Sequence, residues 1–355
     1  MAELWTRVQK TTIQQHLREV EENILQNQKI TALMMKKGRV SYNHSGTKMT
    51  WRIKKARHGM SQYGDAQGVN FDRFNRHEVA ELDWRGYIMG ESVTKMEKLA
   101  NRGKEAIVNF VSELTDSMID DIKYHFASEF YKDGNAPGNE HAIHGFTSWT
   151  GITGSNQYTD PSDTYAGLLT TLGYYGGSVI SGSWPSGKFD PEYYYWSPLI
   201  VNYTHSNWGS TATWAANCIA ALRNGIIHSK NQKGLQGQLD MILMTASMYS
   251  DLLDNIDEKE RIQIDRGAKN SEMIAMGFKD VVNFDGVDCT YEVDVPDTQA
   301  FGLNFKEMEL CSMQGQLFVP GKDYDINTLS DQYTIDFFGN LRGNPRSTVL
   351  WDNIT

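Results

Sequence analysis

The sequence predicts an α+β fold, because one very long amphipathic segment stands between separate runs of short strands. Apolar residues at helical spacing predict a single helix over 91–133. Ser92 is its expected N-cap, and Gly134 followed by Pro137 predicts its end. At 1.5 Å per residue this helix is a rod of roughly 60 Å that needs a surface to cover its apolar face. That face carries Met96, Leu99, Ala100, Ile107, Phe110, Val111, Leu114, Met118, Ile122 and Phe126.

Length and composition indicate a soluble chain of two or three domains. The N-terminal region has no apolar run of the kind that marks a secretory signal. No stretch approaches the ~20 apolar residues that cross a bilayer, so no membrane partner is expected. The three cysteines, Cys218, Cys289 and Cys311, are far apart and form no CxxC pair. They are interpreted as buried thiols in a reducing cytoplasm, not as a redox or zinc site.

The net charge of −10 hides an asymmetry between the first sixty residues and the rest of the chain. Residues 1–60 hold twelve Lys and Arg against four Asp and Glu, whereas the remainder holds 22 bases and 40 acids. A basic arm on an acidic body fits either nucleic acid or the acidic body of a neighbouring copy. The arm lacks the interleaved aromatic residues that stack on bases, which favours docking on a neighbouring copy.

Two segments before the long helix also need a partner surface. Residues 11–35 are predicted to form a helix with one apolar stripe, and a free helix of this size is only marginally stable. Alternating strands around 49–53 and 82–88 flank a polar, glycine-rich tip at 56–70 and predict a two-stranded ribbon. Because an isolated hairpin is barely stable, the expected partner surface is another subunit.

The segment 133–210 is irregular and rich in aromatic residues. Its aromatic rings could form a carbohydrate-binding face, but an insertion packed by its own rings is the favoured interpretation. Farther along, helices are predicted over 211–227 and 245–256 around a buried strand at 239–244, followed by strands from 281 onward. The aromatic residues are Tyr174, Tyr175, Trp184, Tyr193, Tyr194, Tyr195, Trp196, Tyr203 and Trp208.

No motif in the sequence assembles a catalytic or cofactor site. The closest candidate is His141 and His144 with Glu140, which supports only a weak hypothesis of a metal-dependent hydrolase because zinc needs three or four ligands. The sequence has no HExxH, Walker A, GxGxxG after a strand, or GxSxG motif. We therefore predict no enzymatic activity, no catalytic residue, no cofactor and no metal ligand.

The order of arm, ribbon, long helix, mixed α/β region and closing strands resembles the major capsid protein family of tailed bacteriophages, with the Hong Kong 97-type or Johnson fold. The resemblance covers essentially the whole chain. It lies in the order of elements more than in motifs. The stretches most similar to the family are Gly277–Cys289, Val293–Pro296, Ala300–Asn304, Leu239–Met244, Tyr195–Asn202 and Phe338–Arg346.

The resemblance implies a division of the chain into four parts. Residues 1–39 would be the N-terminal arm and 40–90 the E-loop. The P domain would hold the spine helix and an inserted region longer than in compact members of the family, and the A domain would point to the symmetry axes. The implied ranges are 91–235 and 322–355 for the P domain, 91–133 for the spine helix, 145–208 for the insertion and 236–321 for the A domain.

The function implied is self-assembly, as hexamers and pentamers, into the icosahedral head shell that encloses double-stranded DNA. Expected partners are other copies, a portal, decoration proteins and DNA contacted non-specifically. No long helical segment precedes the arm, so a separate scaffolding protein is expected instead of a fused one. The expected location is the virion, after assembly in the host cytoplasm. The alternative is a carbohydrate-binding or decoration structural protein of the virion.

Some members of the family crosslink an E-loop lysine to an asparagine of another subunit. The resemblance places Lys48, Lys54 and Lys55 in the E-loop, with Asn340 or Asn344 as conceivable partners. No catalytic glutamate is assigned, so crosslinking is not predicted.

Overall fold

The structure is a computed structural model that describes residues 29–54, 60, 62, 73, 75–100, 104–150, 164–169, 196, 198–205, 208, 211–233, 238–259 and 280–353. The helices are α1 Lys29–Lys36, α2 Lys95–Ala100, α3 Lys104–Glu129, α4 Phe146–Thr150, α5 Trp214–Lys233 and α6 Ala246–Lys259. The strands are β1 Val40–His44, β2 Lys48–Lys54, β3 His77–Asp83, β4 Arg85–Thr94, β5 Thr164–Tyr165, β6 Leu168–Leu169, β7 Leu199–Asn202, β8 Met241–Met244, β9 Val282–Phe284, β10 Val287–Tyr291, β11 Ala300–Leu303, β12 Glu309–Met313, β13 Val319–Asp325, β14 Ser330–Arg342 and β15 Val349–Asp352.

A five-stranded sheet supports the long helix. Its central strand β14 pairs with β4 on one side and with β13 and β12 on the other, and β1 adds to β12 in parallel. The α3 residues Met118, Ile122 and Phe126 are buried in a core that they share with Ile335 and Phe337 of β14. The helix is therefore held by the apolar face of this sheet.

A six-stranded sheet has the order β7-β15-β11-β8-β10-β9. Its strands β7, β8, β11 and β15 are buried along their full lengths, as expected for strands covered on both faces. Helices α5 and α6 cover one face, where Trp351 donates from Nε1 to the Ala221 carbonyl at 2.9 Å. The other face of this sheet contributes Phe301 and Leu350 to the core that also holds α3.

One hydrophobic core therefore joins the two sheets. It includes α1, the buried side chains of α3 and α4, and inward-facing residues from both sheets. Within it, Phe146 packs against Phe130, Tyr131, Trp149 and Phe301 at ring-centroid distances of 5.5 to 6.1 Å. The two sheets are thus packed against each other without a solvent layer at this point.

The helical region begins later than the sequence predicts and ends earlier. Residues 91–94 belong to β4, since pairing with β14 continues to Thr94 opposite Ser330. The predicted N-cap Ser92 is therefore wrong, because that residue lies opposite Gln332 within the ladder. Thr94 forms a capping box with Glu97, whose carboxylate accepts from the Thr94 amide at 2.8 Å. At the other end, α3 stops at Glu129 rather than at 133.

Among the described residues of the predicted apolar stripe, those from Leu114 onward are buried and the first two are exposed. Leu114, Met118, Ile122 and Phe126 are buried as expected, but Met96 is 80% exposed and Leu99 is 44% exposed. Both residues lie on α2, which begins directly after the last pair of β4 with β14, Thr94 opposite Ser330. The side chains of Ile107, Phe110 and Val111 lie outside the described part.

Most of the other predicted elements are confirmed, with shifted ends. The ribbon is β2 and β3, but residues 85–88 of its predicted second strand belong to β4, which pairs with β14. The two later helices are α5 and α6, and the strands after 281 are present. The first helix is described only as α1, since residues 1–28 lie outside the described ranges. No helix in the described ranges is both long and apolar enough to cross a bilayer.

Candidate assembly surfaces

Helix α1, which lies at the C-terminal end of the predicted arm 1–39, contacts the six-stranded sheet. Lys29 donates from Nζ to the Tyr291 carbonyl at 2.6 Å and lies 4.6 Å from the centre of the Tyr291 ring. Lys37, just after α1, pairs with Asp240 at 2.7 Å. Because Leu33 and Met34 are also buried, the base of the arm has a fixed position on its own chain.

The ribbon packs its inner face on its own chain, contrary to the expectation that another subunit covers it. Met49, Ala80 and Leu82 are buried on this face. Trp51, on the same face, lies 6.3 Å from the Tyr165 ring and 6.4 Å from the Trp196 ring. Aromatic residues of the segment after α4 therefore cover the face for which the strand pattern predicts a neighbouring subunit.

The outer face of the ribbon is open to solvent. Every residue on it is exposed, and the two strands alternate cleanly between the two faces. The exposed residues are Lys48, Thr50, Arg52, Lys54, His77, Val79, Glu81 and Asp83. A mixed-charge face of this kind suits reversible contact with a polar surface.

Exposed apolar side chains gather at one end of the five-stranded sheet. Met96 and Leu99 of α2 lie beside the turn between β13 and β14, because the Lys95 amide donates to the Leu329 carbonyl at 3.0 Å. In that turn Ile326 is 76% exposed and Leu329 is 49% exposed. We call these four apolar residues the sheet-end patch. Grouped exposed apolar side chains indicate an interaction surface more strongly than scattered ones.

A shallow groove runs between α3 and strand β4. Tyr87, Met89, Ile122 and Phe126 line it, and Ile88 at its rim is 72% exposed. Tyr87 donates from its hydroxyl to Glu129 at 2.7 Å, and burial together with this carboxylate raises the Tyr87 pKa. The buried end of the groove is therefore fixed by hydrogen bonds.

A half-buried acid, Glu292, lies where the two sheets meet. Tyr131 donates to the Glu292 carboxylate at 2.7 Å. Burial raises the Glu292 pKa, while burial and the nearby carboxylate raise the Tyr131 pKa. This hydrogen bond links the end of α3 to the segment after β10 and thereby fixes the junction of the sheets.

The two conceivable crosslinking asparagines have structural roles in this chain. Asn340 is fully buried and donates from Nδ2 to the Asp83 carbonyl at 2.9 Å, while its Oδ1 accepts from the His144 amide at 3.0 Å. Asn344 caps a short 3-10 turn by accepting from the Arg346 amide. An asparagine held in this way inside its own subunit is not presented to a lysine of a neighbour.

The two candidate metal-binding histidines point to different environments. His144 is buried, whereas His141 and Glu140 are exposed. In the part of the chain that the structure describes, neither histidine belongs to a group of three ligand atoms close enough to hold a metal. The hydrolase hypothesis therefore has no geometric support there.

Two buried histidines make the fold sensitive to acid. Burial, with Arg85 adding to it, lowers the His144 pKa to about 4, and burial with Arg346 lowers the His228 pKa to about 4. A histidine with a folded pKa below its unfolded value of about 6.5 contributes stability above that pH and loses it as the pH falls. Burial raises the Asp352 pKa to about 6, so this carboxyl group adds stability as the pH falls through the same range.

We expect the protein to lose stability between about pH 6.5 and pH 4, by about 3 kcal/mol net, since two histidines oppose one carboxyl group. Urea midpoints measured across this range check the trend. His144→Gln should reduce the loss of unfolding free energy over this pH range by about 3 kcal/mol. The substitution His125→Gln, at an exposed histidine, should leave that loss unchanged. Equal slopes in the wild type and in His144→Gln would contradict the assignment.

The described aromatic residues of the predicted insertion are packed inside the protein. Trp196 is fully buried and stacks on Tyr165 at 5.7 Å, and Tyr203 is buried with its hydroxyl donating to the Thr298 carbonyl. Trp208 is partly buried. The other aromatic residues of this set lie outside the described part of the chain. Packed rings favour the self-packed interpretation over an exposed carbohydrate-binding face.

Comparison with solved structures identifies the fold. The chain is similar to the capsid of a native GTA particle (TM-score 0.55, 11% identity, 90% of this chain and 89% of that chain). It is also similar to the capsid of cyanophage A-1(L) (TM-score 0.52, 16% identity, 89% and 91%) and to the capsid of Myoviridae phage XM1 (TM-score 0.51, 12% identity, 91% and 92%). No family model matches the sequence, and no curated protein does.

These similarities extend over about nine tenths of each chain, so they concern the whole architecture and not one motif. The prediction of an α+β, Hong Kong 97-type capsid fold is confirmed.

Proposed function

We propose that this chain is a major capsid protein that self-assembles into the icosahedral head shell of a tailed bacteriophage, around double-stranded DNA. The observation that carries the proposal is the shared fold over nearly the full length of three capsid chains. The fastened base of a basic arm and the open outer face of the ribbon support it, because both are suited to contacts between copies. The role is structural, with no catalytic step.

The sheets support a revised division of the chain. The P domain comprises 85–150 and 309–342, which carry α3 and most of the five-stranded sheet. The A domain comprises 198–303 and 348–353, because β7 and β15 complete the six-stranded sheet around β8 and β11. The sequence-based boundaries at 236 and 321 cut through both sheets. The ribbon of β2 and β3 is the E-loop, and the chain up to 39 remains the arm.

Assembly in this proposal uses many weak contacts, which add up over a closed shell of hexamers and pentamers. The basic arm docks on the acidic body of a neighbour by charge complementarity. An acidic body also limits the attraction between the shell and the packaged DNA, so contact with DNA is non-specific. A separate scaffolding protein, a portal and decoration proteins are the proposed partners, with assembly in the host cytoplasm and residence in the virion.

Electron microscopy tests the proposal directly. The full chain is expressed alone and together with a candidate scaffolding protein from the same genome, and is then examined by negative stain and light scattering. We expect rings of five or six subunits, or closed shells. A chain that stays monomeric at every concentration and in both preparations contradicts the proposal.

The sheet-end patch supplies a specific prediction for assembly. Replacing Met96 and Ile326 together by Ser should leave the unfolding free energy within about 0.5 kcal/mol, because both side chains are exposed in the subunit. The yield of rings or shells should fall severalfold, because the apolar contact between copies is lost. Sedimentation of assembled particles measures the yield. Undiminished assembly would exclude this patch from the interface.

A further inference from the structure

Three metal-ligating side chains converge beside the edge of the five-stranded sheet. One ligand atom each from His44, Glu309 and Cys311 lies within 4.8 Å of the other two. Cys311 is fully buried, while His44 and Glu309 are half-buried, so the group has a closed inner end and an outer end open to solvent. In the described ranges no other group of three such residues meets this spacing.

A β-bulge brings His44 to this group. Ser41 lies opposite Cys311 in the parallel pair of β1 and β12, and His44 lies opposite Met313, so β1 uses one residue more than β12 over this span. Without the extra residue, His44 would lie on the opposite face of the sheet from Ser41. The bulge turns it to the face that Glu309 and Cys311 share, and bulges often re-aim a functional side chain in this way.

Neighbouring groups already orient two of the three side chains, His44 and Glu309. The Ser41 hydroxyl lies 2.7 Å from His44 Nε2, and the Trp84 ring packs 6.1 Å from the imidazole. Arg342 pairs with Glu309 Oε2 at 2.7 Å, which leaves the other carboxylate oxygen available. Metal ligands in proteins are commonly held by such outer partners.

We propose that His44, Glu309 and Cys311 bind one divalent, thiol-binding transition-metal ion, with Zn²⁺ as the best fit. One nitrogen, one oxygen and one sulfur ligand suit Zn²⁺, and water at the outer end completes a tetrahedral site. The ion joins β1, which links the arm to the ribbon, to β12 of the sheet. It thereby strengthens the edge of the sheet, where β1 pairs with β12 through a short parallel ladder.

Proton release accompanies binding in this proposal. A cysteine must lose its thiol proton before its sulfur can bind a divalent ion. Forming the metal–sulfur bond expels that proton to solvent, and the sulfur keeps the electron pair that it donates to the ion. Binding should therefore tighten as the pH rises.

Cobalt titration of the full-length chain tests the site. We expect Co²⁺ to produce a thiolate-to-cobalt charge-transfer band, which equimolar Zn²⁺ removes, and Zn²⁺ to raise the thermal midpoint by about 2 °C or more. Cys311→Ser should lose the band, while Cys289→Ser, which alters a buried cysteine of the other sheet, should keep it. Absence of the band in the wild type, or a band that persists in Cys311→Ser, overturns the proposal.

A second variant covers the case in which Cys311→Ser fails to fold. His44 is half-buried, so His44→Ala should preserve the far-ultraviolet circular dichroism. It should weaken Co²⁺ binding at least about tenfold, the lower end of what the loss of a supporting group costs a metal site. Unchanged affinity in folded His44→Ala rejects the three-residue site.

Discussion

Phe126→Ala is expected to destabilise the subunit by about 3–5 kcal/mol, the usual cost of deleting a buried phenylalanine ring. Phe126 is 4% exposed. Its ring lies 5.1 to 6.4 Å from four other rings, so deletion leaves a cavity between α3 and the five-stranded sheet that rigid neighbours cannot fill. The rings around it are Tyr87, Phe130, Phe318 and Phe337.

Chemical unfolding of unassembled subunits measures this loss, and Tyr124→Ala is the matched control on the same helix. Tyr124 is 74% exposed, so its removal should change the unfolding free energy by no more than about 0.5 kcal/mol. In the shell that we propose, Phe126→Ala protein that survives purification should also assemble poorly, since α3 then has a loosened support. Equal stability losses in the two variants would show that α3 is placed wrongly on the sheet.

Gly145→Ala is expected to cost about 3 kcal/mol or to prevent folding. A Cβ atom at Gly145 would lie 2.3 Å from the carbonyl oxygen and 2.6 Å from the carbonyl carbon of Phe130. These are backbone atoms at the end of α3, and the Phe146 amide donates to the same carbonyl oxygen at 2.7 Å. The clash cannot be relieved by a rotamer change, so the α3–α4 junction must move.

Gly90→Ala is the matched glycine control. A Cβ there would make only ordinary contact, at 3.4 Å, with the Thr334 side chain. Because alanine also loses less conformational entropy than glycine on folding, this variant should be neutral or slightly stabilising. Soluble yield and the thermal midpoint distinguish the two variants. If Gly145→Ala matches the wild type in both measurements, the close approach to Phe130 is absent.

The elements whose periodicity reflects burial could be predicted from the sequence. Met118, Ile122 and Phe126 recur at helical spacing because one face of α3 is buried, and the run Met241–Met244 is apolar throughout because β8 is covered on both faces. The start of the long helix could not be predicted from the apolar pattern. Residues 91–94 belong to β4 because they pair with the distant strand β14. The local capping signal that matches the observed start is Thr94 with Glu97.

The candidate surfaces were harder to predict than the fold. The ribbon pattern correctly indicated a face in need of cover, but nothing in the sequence showed that Tyr165 and Trp196 of the same chain supply it. The group of His44, Glu309 and Cys311 has no recognisable spacing, since 265 residues separate the histidine from the glutamate. A bulge and a parallel pairing bring these residues together, and neither leaves a mark on local periodicity.

The position of β15 between β7 and β11 has a consequence for how quickly this subunit folds. Val349 pairs with Leu199 across 150 residues of chain, and Val40 pairs with Leu310 across 270. Neither sheet can close until residues beyond 340 have been synthesised, and contacts this distant in sequence make folding slow. During that interval the edges of β7 and β11 are unpaired, and such edges promote aggregation. We therefore expect refolding from denaturant to be slow and dependent on protein concentration.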